Sequence, residues 1–182
     1  MFKILSVLCI LPVCASVAQQ AYKPAHGETD LKLDIQGRGS VYLKLFTDEA
    51  PKTTTHIAKL VKDGFYDGLR FHRVVKSPKP YLIQLGDPNT RNGALDDSSI
   101  TGSGESIQYE DSGHQNIEGA VGLAGDLQQD KSGDSQFYIL LATSKFLDGD
   151  YTVFGQVVSG MDVVRNVERG DRIEHATIVK GR

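Results

Sequence analysis

Three polar side chains stand in strand-like settings: Arg73 in "FHRVV", Gln84 in "YLIQL" and Gln136 in "DSQFYILL". Aromatic and β-branched residues around Arg73, with turn-prone Tyr66-Asp67-Gly68 before and Ser77-Pro78 after, predict a strand over 71–75. Alternation puts Phe71, Arg73 and Val75 on one face and His72 and Val74 on the other. It also groups Gln136 with Tyr138 and Leu140, opposite Phe137, Ile139 and Leu141, and Leu82 with Gln84, with Tyr81 at that strand's start. A guanidinium keeps its charge and a carboxamide does not titrate, so this set suits a groove with polar fixtures rather than proton transfer. Alternation alone leaves a second reading open, in which Arg73 snorkels to the surface while Gln84 and Gln136 point to water.

Other chemistries find little support. Gly119-x-x-Gly122-x-x-Gly125 lacks the strand–turn–helix context of a phosphate loop, and no Gly-x-Ser-x-Gly elbow occurs. The five histidines have no metal-ligand spacing with another His or Cys. Asp126, Asp130 and Asp134 recur every four residues, but Gly133 is misplaced for a calcium loop. Asp96-Asp97 reads as solvated loop charge. A net charge of −3, without a basic run, argues against nucleic acid as a partner.

The elements that would position these groups are mostly strands. Leu31, Leu33 and Ile35, then Gly37-Arg38-Gly39, then "VYLKLF" at 41–46 predict a hairpin. Further strands are expected at 71–75, 81–85, 120–124, 137–142, 152–158 and 173–179. "PKTTTHIAKLVK" (51–62) reads as a helix with proline in its first turn and Gly64 as its stop, and "MDVVRNV" (161–167) as a second, short one. Eight strands with two helices do not make βαβ units, so the expected fold is mainly β: a closed eight-stranded antiparallel barrel capped by two helices. The polar stretch from Gly86 to Glu118 is long enough to be a functional loop.

The N-terminus differs in kind. "MFKILSVLCILPVCASVAQQ" has one lysine, then an apolar run from Ile4 to Ala18 broken only by Ser6, Pro12 and Ser16. About 15 apolar-rich residues fall short of the roughly 20 that span a membrane. Ser16-Val17-Ala18 supplies small residues where a signal peptidase reads. Residues 1–18 are therefore expected to be a secretory signal, 19–30 a short polar tail and 31–182 one domain, with no stable membrane span. A retained anchor helix and lipid attachment at Cys14 are the alternatives, and Pro12-Val13 makes a poor lipoprotein signal. Cys9 and Cys14 both lie in the signal, so the mature chain would contain no cysteine and need no disulfide. Losing Lys3 leaves 19 basic against 23 acidic side chains, a net charge of −4.

"FHRVV", "QLGD", "DSQFYI" and "FLDGDYTVFGQVVSGMDVV" occur in an order and spacing that resembles the cyclophilin family of peptidyl-prolyl cis–trans isomerases. The resemblance runs from Leu31 to Val179. It implies catalysis through Arg73 and Gln84, and substrate binding by Tyr81, Leu82, Gly125, Gln136, Tyr138, Phe146, Leu147 and Tyr151, without metal or cofactor. This sequence departs from the common pattern at Leu85 for glycine, Tyr138 for phenylalanine, Phe146 for tryptophan and Tyr151 for histidine, and in a longer bend over 75–81.

The implied activity is rotation of X–Pro bonds in proline-containing peptides and in unfolded or partly folded exported proteins. With the N-terminal signal, the expected setting is a bacterial periplasm or the outside of the cell, and the expected state a monomer. Phe146 has no donor to replace an indole N–H, so weak binding of cyclosporin is expected. A peptide-binding or chaperone module with little turnover is the alternative that Phe146 and Tyr151 keep open, while Arg73, Gln84 and Gln136 favour the enzyme. The mature exported protein should begin at Gln19 and carry no thiol; an intact mass that retains Met1 to Ala18 would contradict this.

Overall fold

The computed structural model describes residues 22–95, 101–127 and 130–182. The expected signal with Cys9 and Cys14, and the Asp96-Asp97 pair, lie outside the described residues. The strands are β1 (Thr29–Ile35), β2 (Gly39–Leu45), β3 (Arg73–Val75), β4 (Leu82–Leu85), β5 (Ala120–Gly125), β6 (Gly133–Leu140), β7 (Val153–Ser159) and β8 (Ile173–Lys180). Two α-helices, α1 (Pro51–Lys62) and α2 (Met161–Asn166), and two 3₁₀ turns at Pro88–Asn92 and Lys145–Leu147 complete the set among the described residues. β6 begins four residues before the expected 137, so Gln136 lies inside the strand.

All eight strands join one antiparallel sheet in the order β3-β4-β6-β5-β7-β2-β1-β8. The sheet curves into a half-barrel and is not the closed barrel expected, because β3 and β8, its two edges, form no ladder with each other. β3 has only three residues, and the chain before it turns at Gly68, where φ is 83°. That stretch meets the start of β8 through a single bridge, Arg70 with Arg172, flanked by Gly68 N–H to Ile173 O at 2.9 Å and Phe71 N–H to Asp171 O at 3.0 Å. The same shortness corrects the expected alternation. Regular extension starts at Arg73, so Phe71 is fully buried in the interior instead of sharing Arg73's face.

Period-2 alternation builds the interior. Leu31, Leu33 and Ile35 of β1 and Val41, Leu43 and Leu45 of β2 all face it. Phe137 and Phe154 meet edge-on at 5.7 Å, and Tyr66 stands edge-on to Phe137 while donating its hydroxyl to Ser135 O at 2.8 Å. Fully burying each such apolar side chain contributes roughly 1.5–3 kcal/mol before entropy is counted. Helix α1 buries Ile57, Leu60 and Val61 against this core. Its N-terminus has no cap of its own at Ala50. The Glu110 carboxylate, from the long loop, accepts from Lys52 N–H at 3.0 Å and Thr53 N–H at 2.8 Å. A carboxylate there meets two orphan donors and the positive end of the helix dipole.

Gly86, immediately after β4, has a φ of 104°, and a Cβ there would fall 2.2 Å from Ser135 O and 2.7 Å from Gln136 Cα. Backbone contact and positive φ act together, so Gly86→Ala should cost more than about 2 kcal/mol. Urea unfolding measures this; wild-type stability would mean that β4 can move away from β6 freely.

Candidate active site

The register of three neighbouring strands decides which side chains meet. Arg73 of β3 lies opposite Gln84 of β4, and Gln84 lies opposite Tyr138 of β6. Directly opposed residues share a face, so the three form a row across the outer surface. Arg73 Nη1 donates to Gln84 Oε1 at 3.4 Å, Gln84 Nε2 donates to Gln136 Oε1 at 2.9 Å, and Gln136 Nε2 donates to Thr101 O at 2.8 Å. Both ends of each amide are used, which fixes their orientation and leaves Gln84 presenting an acceptor to the guanidinium. Arg73 is half-buried, and its remaining N–H groups have no protein partner among the described residues.

Beside this chain lies a second apolar cluster, on the face of the sheet away from the main core. Leu82, Tyr138, Leu140, Leu147 and Val153 are buried in it, with Tyr81, Tyr151, Phe46 and Ala124 packed against them. Tyr138 and Tyr151 meet edge-on at 5.7 Å and 87°. Tyr81 stacks with Phe146 at 5.7 Å and 30°, and Phe146, 71% exposed, forms the rim. Tyr138 lies across β5 at Gly122, where an added Cβ would fall 2.1 Å from the ring's Cζ. Its hydroxyl donates to Asn116 Oδ1 at 2.7 Å. Burial raises the phenol pKa values of Tyr81, Tyr138 and Tyr151, most strongly at Tyr138; at Tyr81 the Arg73 charge partly offsets the rise. The phenols therefore stay neutral to higher pH than a free tyrosine.

The residues expected from sequence fall into three groups. Arg73, Gln84 and Gln136 share one hydrogen-bonded chain, so the amides face each other rather than water. Tyr81, Leu82, Tyr138, Leu147 and Tyr151 share the apolar cluster, with Phe146 stacked at its edge. Gly125 stands at the end of β5 opposite Gly133, and its neighbour Ala124 makes the apolar contact. Gly122 and Gly125 are strand residues, which agrees with rejecting a phosphate loop.

Sequence reasoning missed Thr101 and Asn116. Thr101 serves through its carbonyl, which every residue type has, so nothing in the sequence marks it. Asn116 had one signal: a tyrosine at 138, on a buried face, needs a hydroxyl partner.

Both the sequence and the fold match known proteins. Residues 31–180 match the model of the cyclophilin type peptidyl-prolyl cis-trans isomerase family. A probable peptidyl-prolyl cis-trans isomerase of Brucella suis is 38% identical over 168 residues, covering 88% of this chain and 82% of the relative. One from Schizosaccharomyces pombe is 36% identical over 151 residues, covering 78% of this chain and 91% of the relative. The human peptidyl-prolyl cis-trans isomerase-like 1 is 38% identical over 133 residues, 71% of this chain and 74% of the relative. Among solved structures, a cyclophilin type isomerase of Cryptosporidium parvum superposes with a TM-score of 0.70 at 20% identity, covering 85% of this chain and 99% of that one. A second structure of that protein, in the presence of the dipeptide Ala-Pro, gives 0.65 at 21% identity, covering 84% of this chain and 99% of that one. The chain belongs to the cyclophilin-type peptidyl-prolyl cis-trans isomerases.

Proposed function

We propose that this chain turns X–Pro peptide bonds in the outer groove, with Arg73 and Gln84 acting on the amide and the apolar cluster seating the proline ring. The observation that carries this reading is the Arg73–Gln84–Gln136 chain lying beside a pocket of Tyr81, Leu82, Tyr138 and Leu147. The Ala-Pro dipeptide with the Cryptosporidium structure makes a proline peptide the natural occupant.

The chemistry derives from the bond. Resonance holds the peptide planar behind a barrier of ~18–20 kcal/mol, and uncatalysed X–Pro exchange takes tens to hundreds of seconds. A turnover of roughly 1–1000 per second requires about 3–7 kcal/mol off that barrier. In the twisted transition state the nitrogen is pyramidal and its lone pair is no longer delocalised. A guanidinium N–H can then donate to that lone pair, while it gains little from the planar ground state, which is differential binding without proton transfer. One charge-assisted hydrogen bond supplies roughly 1.5–3 kcal/mol, too little alone. Water excluded by Tyr81, Leu82, Tyr138, Phe146, Leu147 and Tyr151 strengthens it, and Gln84 steadies the carbonyl side while the other plane turns. Gln136 holds Gln84, and the backbone at Gly125 borders the peptide's path.

The apolar run over 4–18 supports export, to the periplasm or out of the cell, where the chain would assist folding of exported proteins. Phe146 lacks an indole N–H, so cyclosporin inhibition should be weak and Phe146→Trp should tighten it; tight inhibition of the natural protein would contradict this.

Arg73→Lys keeps the charge but loses the planar fork, so turnover of an X–Pro peptide should fall about tenfold or more with the fold intact. Near wild-type rates in a protease-coupled assay would reduce Arg73 to a surface group. The titration profile is a separate check. The pocket groups are an arginine, two glutamines and tyrosines whose pKa values burial raises. Protonation of these phenols is complete below their raised pKa values, so kcat/KM should stay nearly flat from about pH 6 to pH 9. A tenfold change centred near about pH 6.5, with circular dichroism unchanged, would bring a histidine into the mechanism.

A further inference from the structure

We infer that Asn116 is a positioning residue of the proline pocket: it locks the Tyr138 ring and the turn carrying Phe146 and Leu147 to one another. The inference rests on the pocket assignment above. Asn116 is fully buried in the loop before β5, where a carboxamide is costly unless bonded. Its Oδ1 accepts from the Tyr138 hydroxyl at 2.7 Å, and its Nδ2 donates to Asp148 Oδ1 at 3.0 Å. Its backbone N–H donates to the same Asp148 oxygen at 2.7 Å, and its carbonyl accepts from Ser144 N–H at 2.7 Å.

Ser144 and Asp148 are the residues that bracket the 3₁₀ turn Lys145–Leu147. Both ends of the turn that supplies Phe146 and Leu147 are thus tied to Asn116, whose side-chain oxygen also holds the Tyr138 phenol. The Asp148 carboxylate is held below its ordinary pKa range by the Asn116 N–H groups, backbone first, so the anchor is a charged acceptor. The sheet side of the ring is already closed, since Tyr138 rests on Gly122 with no space for a Cβ. The hydroxyl bond fixes the remaining freedom, rotation of the ring towards the turn. Asn116 touches no reacting atom. Releasing it loosens the seat of the proline ring, a contact that ground state and transition state share, while the apolar side chains that exclude water stay in place, so affinity falls more than turnover.

Exchange NMR on an Ala-Pro peptide, which reads affinity and bound-state turnover separately, tests this. Tyr138→Phe and Asn116→Ala should each weaken affinity about tenfold, the scale of one buried hydrogen bond. Bound-state turnover should change less than about threefold, and the double variant should be no worse than Asn116→Ala alone. Asn116→Asp alone sets two carboxylates together and should lose affinity. Unchanged affinity with only a lowered melting temperature, or additive losses, would overturn the inference. Should Asn116→Ala not fold, Tyr138→Phe decides: unchanged affinity in that variant overturns the inference. Arg73→Ala, measured alongside, separates the two levels. Its turnover should collapse with affinity kept, whereas normal turnover would overturn the site reading, and the role of Asn116 with it.

Discussion

The antiparallel register that sets Val74 opposite Ile83 and Ile83 opposite Ile139 is the constraint on which the site depends. Val74, Ile83 and Ile139 pack on the interior core. Because side chains alternate, the same register turns Arg73, Gln84 and Tyr138 outward in one row. A slip of one residue would drive a guanidinium into the core and expose the isoleucines. The hydrophobic interior therefore aims the catalytic candidates, and no separate device is needed to hold β3, a strand of only three residues at the sheet edge.

The outer face then solves an electrostatic problem. Arg73 is tethered by neutral amides, ending at the Thr101 carbonyl, and by no carboxylate among the described residues. An anionic partner would hold the guanidinium more firmly but would also satisfy it, leaving less to gain at a twisted amide nitrogen. The adjoining tyrosines supply bulk without charge, since burial keeps their phenols protonated. The long polar loop closes this arrangement from outside, through Thr101 on Gln136 and Asn116 on Tyr138, while Glu110 caps helix α1.

Much of this is legible in the sequence because alternation is a strong local signal. The faces of 82–85 and 136–141 match the expected pattern, and α1 begins at Pro51. Phe71 departs from it because strand-like composition extends two residues beyond the strand; the turn at Gly68 and the bridge to Arg172 override propensity there. Closure of the barrel is likewise beyond local reading, since it depends on how two distant edges meet, which no local pattern records. Thr101, Glu110 and Asn116 are invisible as contributors because a loop's contacts are set by its path over the surface. A polar stretch reads alike whether it is solvated or bonded.

The central claim is that Arg73 acts on the transition state and not on the bound peptide. Exchange NMR of an Ala-Pro peptide on the Arg73→Ala variant measures this directly. The account predicts affinity within about threefold of wild type and interconversion of the bound peptide slowed by about 10- to 100-fold, the worth of one charge-assisted hydrogen bond. Equal losses of affinity and kcat/KM with bound-state interconversion unchanged would make Arg73 a peptide anchor and contradict the mechanism.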